Sequence, residues 1–287
     1  MTDPGAPRVA VYLDFDNIVI SRYDQVHGRN SFQKDRTAGF HKQPGRLTQA
    51  TVDVGAIIDF ASSFGTLVLT KAYADWSADV NADYRGQLVG RAVDLVQLFP
   101  AAAYAKNGAD IRLAVDAVED MFRLPDLTHV VIVAGDSDYI ALAQRCKRLG
   151  RYVVGIGITG SISKSLTAAC DEFVSYDALP GVPVAEPKKR ARRAKAAEPD
   201  DEPEQPDPQA AATGLLERAL RIGHEKDDAD WLHNSAVKAQ MKRMDPSFSE
   251  KSLGYKSFSD FLRSRTDVVE LDESSTTRMV RLKTTAT

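Results

Sequence analysis

Apolar runs alternate with amphipathic stretches through the first 180 residues of the chain. Residues 8–16 (RVAVYLDFD) form a nearly continuous run of β-favouring residues, residues 51–65 have helical spacing, and residues 66–75 return to strand character. Later segments continue the alternation, with strands predicted at DLVQLF, THVVIVAGD, RYVVGIG and EFVSY. Fully apolar strands that each precede a helix predict an α/β fold, in which helices cover both faces of a parallel sheet.

Two segments interrupt this pattern. Residues 21–48 are rich in Gly, Gln, Arg and Ser, which predicts a long loop after the first strand. Residues 181–211 contain many prolines and no Leu, Ile or aromatic residue, which is typical of a flexible charged linker. The predicted domains are therefore residues 1–180 and residues 212–287.

The second predicted domain has a different pattern. Three amphipathic helices are predicted at TGLLERALRIG, ADWLHNSAVKAQMKRM and KSFSDFLRSR, and two short alternating strands follow at DVVELDE and RMVRLK. Three helices followed by a hairpin indicate a winged-helix domain, which commonly docks on nucleic acid or protein.

Composition narrows the class of protein. The 287 residues carry 37 Lys and Arg against 40 Asp and Glu, a formal net charge of −3, so any nucleic-acid binding must come from local basic patches. The two cysteines, Cys146 and Cys170, exclude a disulfide framework and favour a reducing compartment. No run approaches the ~20 apolar residues that cross a bilayer, and the N-terminus does not resemble a secretory signal. We therefore expect a cytoplasmic protein with no membrane partner.

Aspartates cluster where two predicted strands end. The first strand runs into Asp14, Asp16 and Asn17, and the fourth runs into Asp136, Ser137 and Asp138. The first and fourth strands of such folds are often neighbours, and ligands bind at the carboxyl ends of parallel strands. Asp110, at the start of a predicted helix, is a fourth carboxylate that can face the same crevice. Clustered carboxylates favour Mg²⁺ or Mn²⁺ and metal-assisted phosphodiester hydrolysis.

Structural roles compete with this interpretation. Asp136 and Ser137 can cap a helix, Asp16 and Asn17 can form a turn, and Asp110 can complement a helix dipole. Asp116 follows Asp110 by six residues, on a different helix face, and is better explained as a supporting or structural carboxylate.

Four separated motifs follow one another over about 170 residues: YLDFDN, KNGADIRLAVDAV, VVIVAGDSDYIALAQRCKRLGRYVVGIG and SKSLTAACDEFVSYD. Together they closely resemble the NYN domain, a PIN-like ribonuclease family that includes the bacterial LabA-type proteins. The resemblance implies a PIN-like Rossmannoid sheet and a divalent-metal endoribonuclease. The metal ligands it implies are Asp14, Asp110, Asp136 and Asp138, with Asn17 and Ser137 as supporting groups.

The C-terminal segment resembles the OST-HTH or LOTUS domain, mainly through its LGYKSFSDFL core. That resemblance implies a winged helix that binds RNA or a protein partner. A basic surface including Lys242, Arg243 and Lys256 can face RNA, although a merely solvated face explains these residues equally well.

An RNA substrate also needs basic groups near the catalytic crevice, because phosphate contacts supply most non-specific affinity. The candidates are Lys71, Arg85, Lys106, Arg112 and Lys164.

The leading hypothesis is thus a metal-dependent ribonuclease with an RNA-binding or partner-binding winged helix. One alternative is a non-catalytic RNA-binding or scaffold protein. A less favoured alternative is a haloacid-dehalogenase-like phosphatase, because Ile18 and Ile140 stand where that family's motifs need other residues. A homodimer is a further expectation.

Overall fold

The structure is a computed structural model, and it describes residues 6–42, 44–99, 108–183, 207–227, 230–274 and 278–283. The chain divides into two compact units, Met1–Ala185 and Glu186–Thr287. No helix among the described residues is both long and apolar enough to cross a membrane.

A parallel sheet forms the centre of the first unit. Within the described residues it has six strands in the order β3-β2-β1-β4-β5-β6. The strands are β1 (Arg8–Asp14), β2 (Thr66–Ala74), β3 (Asp94–Gln97), β4 (His129–Val133), β5 (Tyr152–Gly157) and β6 (Glu172–Ser175). The predicted α/β class is confirmed, and so is the prediction that the first and fourth strands are neighbours.

Helices cover both faces of this sheet. In chain order they are α1 (Phe15–His27), α2 (Ser31–Ala38), α3 (Pro44–Gln49), α4 (Val54–Ser62), α5 (Asp79–Ala82), α6 (Arg85–Val89), α7 (Gly108–Arg123), α8 (Ile140–Arg148) and α9 (Lys164–Ala169). Alternate residues of β1 enter two separate cores, because successive strand side chains point to opposite faces. Val11 and Leu13 pack in the core that includes α1 and α4, whereas Tyr12 packs in the core that includes α7 and α8.

The prediction of a long loop at residues 21–48 is wrong. The described residues of this segment are mostly helical, belonging to α1, α2 and α3. The aromatic rings of Tyr23, Phe32 and Phe40 pack against one another, and the Asp24 carboxylate accepts the amides of Asn30 and Phe32 at 2.8 Å each. The polar composition that suggested a loop belongs to the outer face of these helices, and the widely spaced aromatics supply their core.

The linker prediction needs a similar correction at its end. A helix, α10 (Pro208–Asp227), already begins inside the predicted linker. Proline is favoured in the first turn of a helix, and the Asp207 carboxylate accepts the Gln209 amide at 3.1 Å. Residues 184–206 lie outside the described residues.

The second unit contains α10, α11 (Asn234–Met244) and α12 (Phe258–Arg263), followed by the hairpin of β8 (Val269–Asp272) and β9 (Met279–Leu282). A helix was expected over residues 229–244, but Leu232–His233 forms a short strand, β7, that pairs antiparallel with β9. Leu232 is buried in the core of this unit together with Phe261 and Val280, which explains the extended start.

Candidate active site

The predicted acidic residues gather at the carboxyl edge of the sheet. Leu13 of β1 lies opposite Val133 of β4, so the segments that follow both strands leave the sheet side by side. The Asn17 side-chain oxygen accepts the Gly135 amide at 3.4 Å and ties the two segments together. Asp14 and the 135–138 turn therefore face the same crevice.

Asp14 is the most buried of these carboxylates, with 3% of its surface exposed. Its Oδ1 accepts the Asn17 amide at 3.2 Å and caps α1, and its Oδ2 accepts a hydrogen bond from the Tyr139 hydroxyl at 2.9 Å. Burial raises the pKa of Asp14 to about 7, against the lowering effect of those two donors. Helix capping and membership of the acidic cluster are thus combined in one side chain.

Tyr139 also contacts Asp110. Its hydroxyl lies 2.8 Å from Asp110 Oδ1, so one phenol bridges two carboxyl groups. A tyrosine has a single hydroxyl hydrogen, and it can donate to only one of the two acceptors at a time. Burial raises the pKa of Asp110, and the charges of Asp136 and Asp138 raise it further. Without a cation, the bridged pair is therefore disposed to retain a proton.

Asp136 and Asp138 lie on the turn after β4. Asp136 caps a short 3₁₀ helix, Ser137–Tyr139, and its Oδ1 accepts the Asp138 amide and the Ser137 hydroxyl at 3.3 Å each. Ser137 and Asp138 are exposed, whereas Tyr139 is buried. The turn therefore exposes Asp138 to solvent, leaves Asp136 half-buried and is anchored by the buried Tyr139.

The donor set fits a hard divalent cation by its chemistry. All four side chains offer carboxylate oxygens, which Mg²⁺ and Mn²⁺ prefer, and a cation relieves the repulsion between neighbouring acids. The described residues nevertheless contain no group of three or more His, Cys, Asp or Glu placed to hold a metal ion. Two of the acids meet at Tyr139, and the other two act on Asp110 through their charge. Mg²⁺ needs only one or two protein carboxylates when water and substrate phosphate complete its shell.

A second polar cluster lies beside the first, around Asp16. Its Oδ1 accepts the Asn81 side-chain amide at 2.6 Å, and its Oδ2 accepts the Asp75 backbone amide at 3.2 Å. Asp75, in turn, accepts the Gln97 side-chain amide at 3.0 Å. Burial raises the pKa of Asp16, whereas the hydrogen bond from Ser77 lowers that of Asp75. Asp16 therefore braces the neighbouring strand end.

Sequence reasoning missed Asp75 and Tyr139. Asp75 follows β2 directly, and β2 is the other neighbour of β1, so the rule that selected Asp14 and Asp136 also applies to it. The sequence offers no comparable signal for Tyr139, because its role depends on where the hydroxyl points in the folded chain.

Asp116 takes the structural role. It is on the buried face of α7, where it accepts the Tyr73 hydroxyl at 3.1 Å and pairs with Arg112 at 2.9 Å. One turn further along, Asp120 accepts a hydrogen bond from the Tyr12 hydroxyl at 3.2 Å and pairs with Lys71 at 2.6 Å. These contacts fasten α7 to the sheet.

The predicted RNA contacts fall into four groups. Lys71 and Arg112 have their charges matched by acids of α7. Arg85 and Lys164 are exposed, at the first residues of α6 and α9, and Lys106 lies outside the described residues. In the second unit, Lys242 and Arg243 occupy the last turn of α11, and Lys256 is exposed just before α12.

Comparison with known families identifies both units. The sequence profile of the NYN domain matches residues 8–177. The chain belongs to the NYN family. The OST-HTH/LOTUS profile matches residues 206–281, so the two domains follow each other in the expected order. NYN domains are PIN-like, are generally ribonucleases and typically use divalent metals, and OST-HTH domains bind RNA.

Further similarity is limited. A search of curated protein sequences found no match to this NYN protein. Among solved structures, it is similar to a protein of unknown function from Vibrio parahaemolyticus, with 21% sequence identity and a TM-score of 0.44. The similarity covers 61% of this chain and 96% of that one.

Proposed function

We propose that this NYN protein is a divalent-metal-dependent endoribonuclease, whose OST-HTH domain binds RNA or a protein partner. The observation that carries the proposal is the pairing of Asp14 and Asp110 at the Tyr139 hydroxyl, beside the half-buried Asp136 and the exposed Asp138. Such a concentration of buried and half-buried acids is costly unless a proton or a cation compensates for it.

Each residue has a distinct role in this proposal. Asp14, Asp110, Asp136 and Asp138 would hold Mg²⁺ or Mn²⁺, and the bound ion would supply activation of a water and neutralisation of charge on the phosphoryl group. Tyr139 and Asn17 position Asp14 through the contacts described above, and the Ser137 hydroxyl orients Asp136. Asp16 supports the carboxyl edge of the sheet by accepting the backbone amide of Asp75, which directly follows β2.

In the NYN domain, the RNA backbone contacts of this proposal belong to exposed cations. Lys164 and Arg85 begin helices in the NYN domain, and neither makes an ion pair among the residues that the structure describes. Lys242, Arg243 and Lys256 supply a separate basic surface in the OST-HTH domain, although that domain also carries acids. These charges contribute affinity rather than sequence recognition.

A cleavage assay on three substrates tests the proposal. The purified full chain is incubated with single-stranded and structured RNA, with DNA, and with a generic phosphate monoester, in Mg²⁺, Mn²⁺ or EDTA. We expect internal cleavage of RNA that requires the metal. Hydrolysis of the monoester alone favours a phosphatase, and RNA binding without cleavage under all conditions favours a non-catalytic RNA-binding protein.

A further inference from the structure

The outer face of α7 carries an unusual row of exposed apolar side chains. Ile111, Val115 and Phe122 expose 63%, 58% and 70% of their surfaces. With Val118 between them, they recur at intervals of four, three and four residues, which places them along one side of the helix. The row extends about 16 Å, at the ~1.5 Å rise per residue of an α-helix. Contiguous apolar surface of this kind marks an interaction site.

A groove runs beside this row, between α7 and α8. It encloses about 740 Å³ and is lined mainly by Ala114, Val115 and Val118 of α7 and by Ala141 and Leu142 of α8. The two alanines leave room for larger side chains from outside. The groove therefore suits the apolar face of an inserted helix.

The charges at the rim of the groove are unbalanced. Arg145 and Arg148 of α8 line it, and both are exposed. Neither arginine forms an ion pair or a side-chain hydrogen bond within the part of the chain that the structure describes. Glu119, the one acid of the lining, is already paired with Arg123 at 2.5 Å. The rim therefore favours an acidic ligand.

We propose that α7 and α8 form a docking surface for an acidic amphipathic helix of a partner protein. The apolar side chains of that helix would pack on the row and in the groove, and its carboxylates would pair with Arg145 and Arg148. The row spans about three helical turns, which matches the contact length of a short helix. A two-fold symmetric contact with a second copy fits less well, because it places the same unpaired arginines on both sides of the interface.

A pair of synthetic peptides tests whether the surface binds an amphipathic helix and whether it prefers an acidic one. Both are amphipathic helices of about 18 residues with the same leucine row, and their polar faces carry either Glu and Gln or Lys and Gln. Binding to the full-length protein is measured by fluorescence anisotropy of the labelled peptides. We expect the acidic peptide to bind at least ~10-fold more tightly, a difference of about 1.4 kcal/mol. Equal binding of the two peptides, or binding of neither, overturns the proposal.

Variants locate the binding site. Arg145→Glu combined with Arg148→Glu should reverse the preference, so that the basic peptide binds more tightly. Arg29→Glu combined with Lys34→Glu is the control, because it makes the same change in net charge at exposed positions elsewhere. The control variant should keep the preference for the acidic peptide. Val115→Asp should weaken the binding of both peptides, and circular dichroism checks that this variant is folded. Failure of the reversal contradicts the proposal.

The oligomeric state tests whether a second copy of the chain, rather than a partner helix, occupies this surface. If the surface takes a partner helix, Phe122→Asp should leave the oligomeric state of the full chain unchanged in light scattering at micromolar concentration. A dimer that Phe122→Asp converts to a monomer assigns the surface to a second copy and overturns the proposal.

Discussion

The hydroxyl of Tyr139 donates a hydrogen bond to Asp14 Oδ2 at 2.9 Å, although the two residues are 125 positions apart in the chain. This contact joins the end of β1 to the turn that follows β4. The same hydroxyl lies 2.8 Å from Asp110 Oδ1, so one side chain contacts both carboxyl groups.

Tyr139→Phe tests this positioning role. Hydrogen bonds from the hydroxyl lower the pKa values of Asp14 and Asp110, so their removal should raise both values. We expect RNA cleavage near neutral pH to fall by about 10- to 100-fold, the ~1–3 kcal/mol that follows from the loss of one buried hydrogen-bond donor. The rising limb of the pH–rate profile, on which these carboxyl groups lose their protons, should move to higher pH. Tyr152→Phe, on a half-exposed tyrosine of β5, is the control.

A purely structural role for Tyr139 predicts a different dependence of the cleavage rate on pH. If Tyr139 only fills space, the variant will lose rate equally at every pH. Such a uniform loss contradicts the positioning role.

Asp14 should give the metal-free protein a distinctive dependence of stability on pH. Burial raises its pKa from 3.8 to about 7, so the folded chain holds this proton more tightly than the unfolded chain does. The resulting stabilisation is fully present below about pH 3.8, and it is lost as the pH rises through 7. Asp14→Asn should therefore be more stable than the unsubstituted protein in EDTA at pH 8, by a few kcal/mol at most.

Thermal unfolding in EDTA at pH 5 and pH 8 measures this difference. The gap between the two proteins should widen toward pH 8, and Mg²⁺ should narrow it by stabilising only the unsubstituted protein. A gap that is the same at both pH values contradicts the assignment.

Asp16→Ala should mainly affect stability. The substitution removes the acceptor of the Asp75 backbone amide and one of the two acceptors of the buried Asn81 side-chain amide, which still donates to the Asp75 carbonyl. Each lost hydrogen bond should cost about 1–3 kcal/mol at most. We expect a lower urea midpoint, and Mn²⁺ affinity within about 3-fold of the unsubstituted protein, a free-energy difference below ~1 kcal/mol. Loss of metal binding in a folded variant would instead place Asp16 among the ligands.

The basic surface of the OST-HTH domain can be tested by charge reversal. Changing Lys242, Arg243 and Lys256 to Glu together should weaken RNA binding and flatten its dependence on salt, because fewer phosphate charges are neutralised. The matched control reverses Arg218, Arg221 and Lys283, which are exposed elsewhere in this domain. Equal affinity in the two triple variants points the OST-HTH domain toward a protein partner.

Much of the fold could be predicted from the sequence because its strands are apolar on both faces. Val11 and Tyr12 are both fully buried although they point to opposite sides of β1, and only a sheet covered on both faces gives that pattern. The crossover rule predicted that the first and fourth strands are neighbours, whereas the places of the other strands in the sheet came from the structure. Asp14 and Asp136 could be selected because they end strands that the rule makes neighbours.

The remainder depended on contacts that no local pattern encodes. Residues 21–48 fold as helices because Tyr23, Phe32 and Phe40 meet in space, at spacings that match neither helical nor strand periodicity. The bridge through Tyr139 depends on the direction of one hydroxyl. The row on α7 was hidden because Ile111, Val115 and Phe122 look like core residues, and only the fold shows that α7 turns a different face to the sheet.

The most direct test of the central claim is the Asp136→Asn variant in the metal-dependent RNA cleavage assay. Asp126→Asn serves as the control, because Asp126 is an exposed acid that pairs with Arg8. We predict that Asp136→Asn abolishes cleavage in both Mg²⁺ and Mn²⁺ and leaves RNA affinity largely unchanged, while the control cleaves normally. Undiminished cleavage by Asp136→Asn would contradict the assignment of the acidic cluster as the catalytic centre.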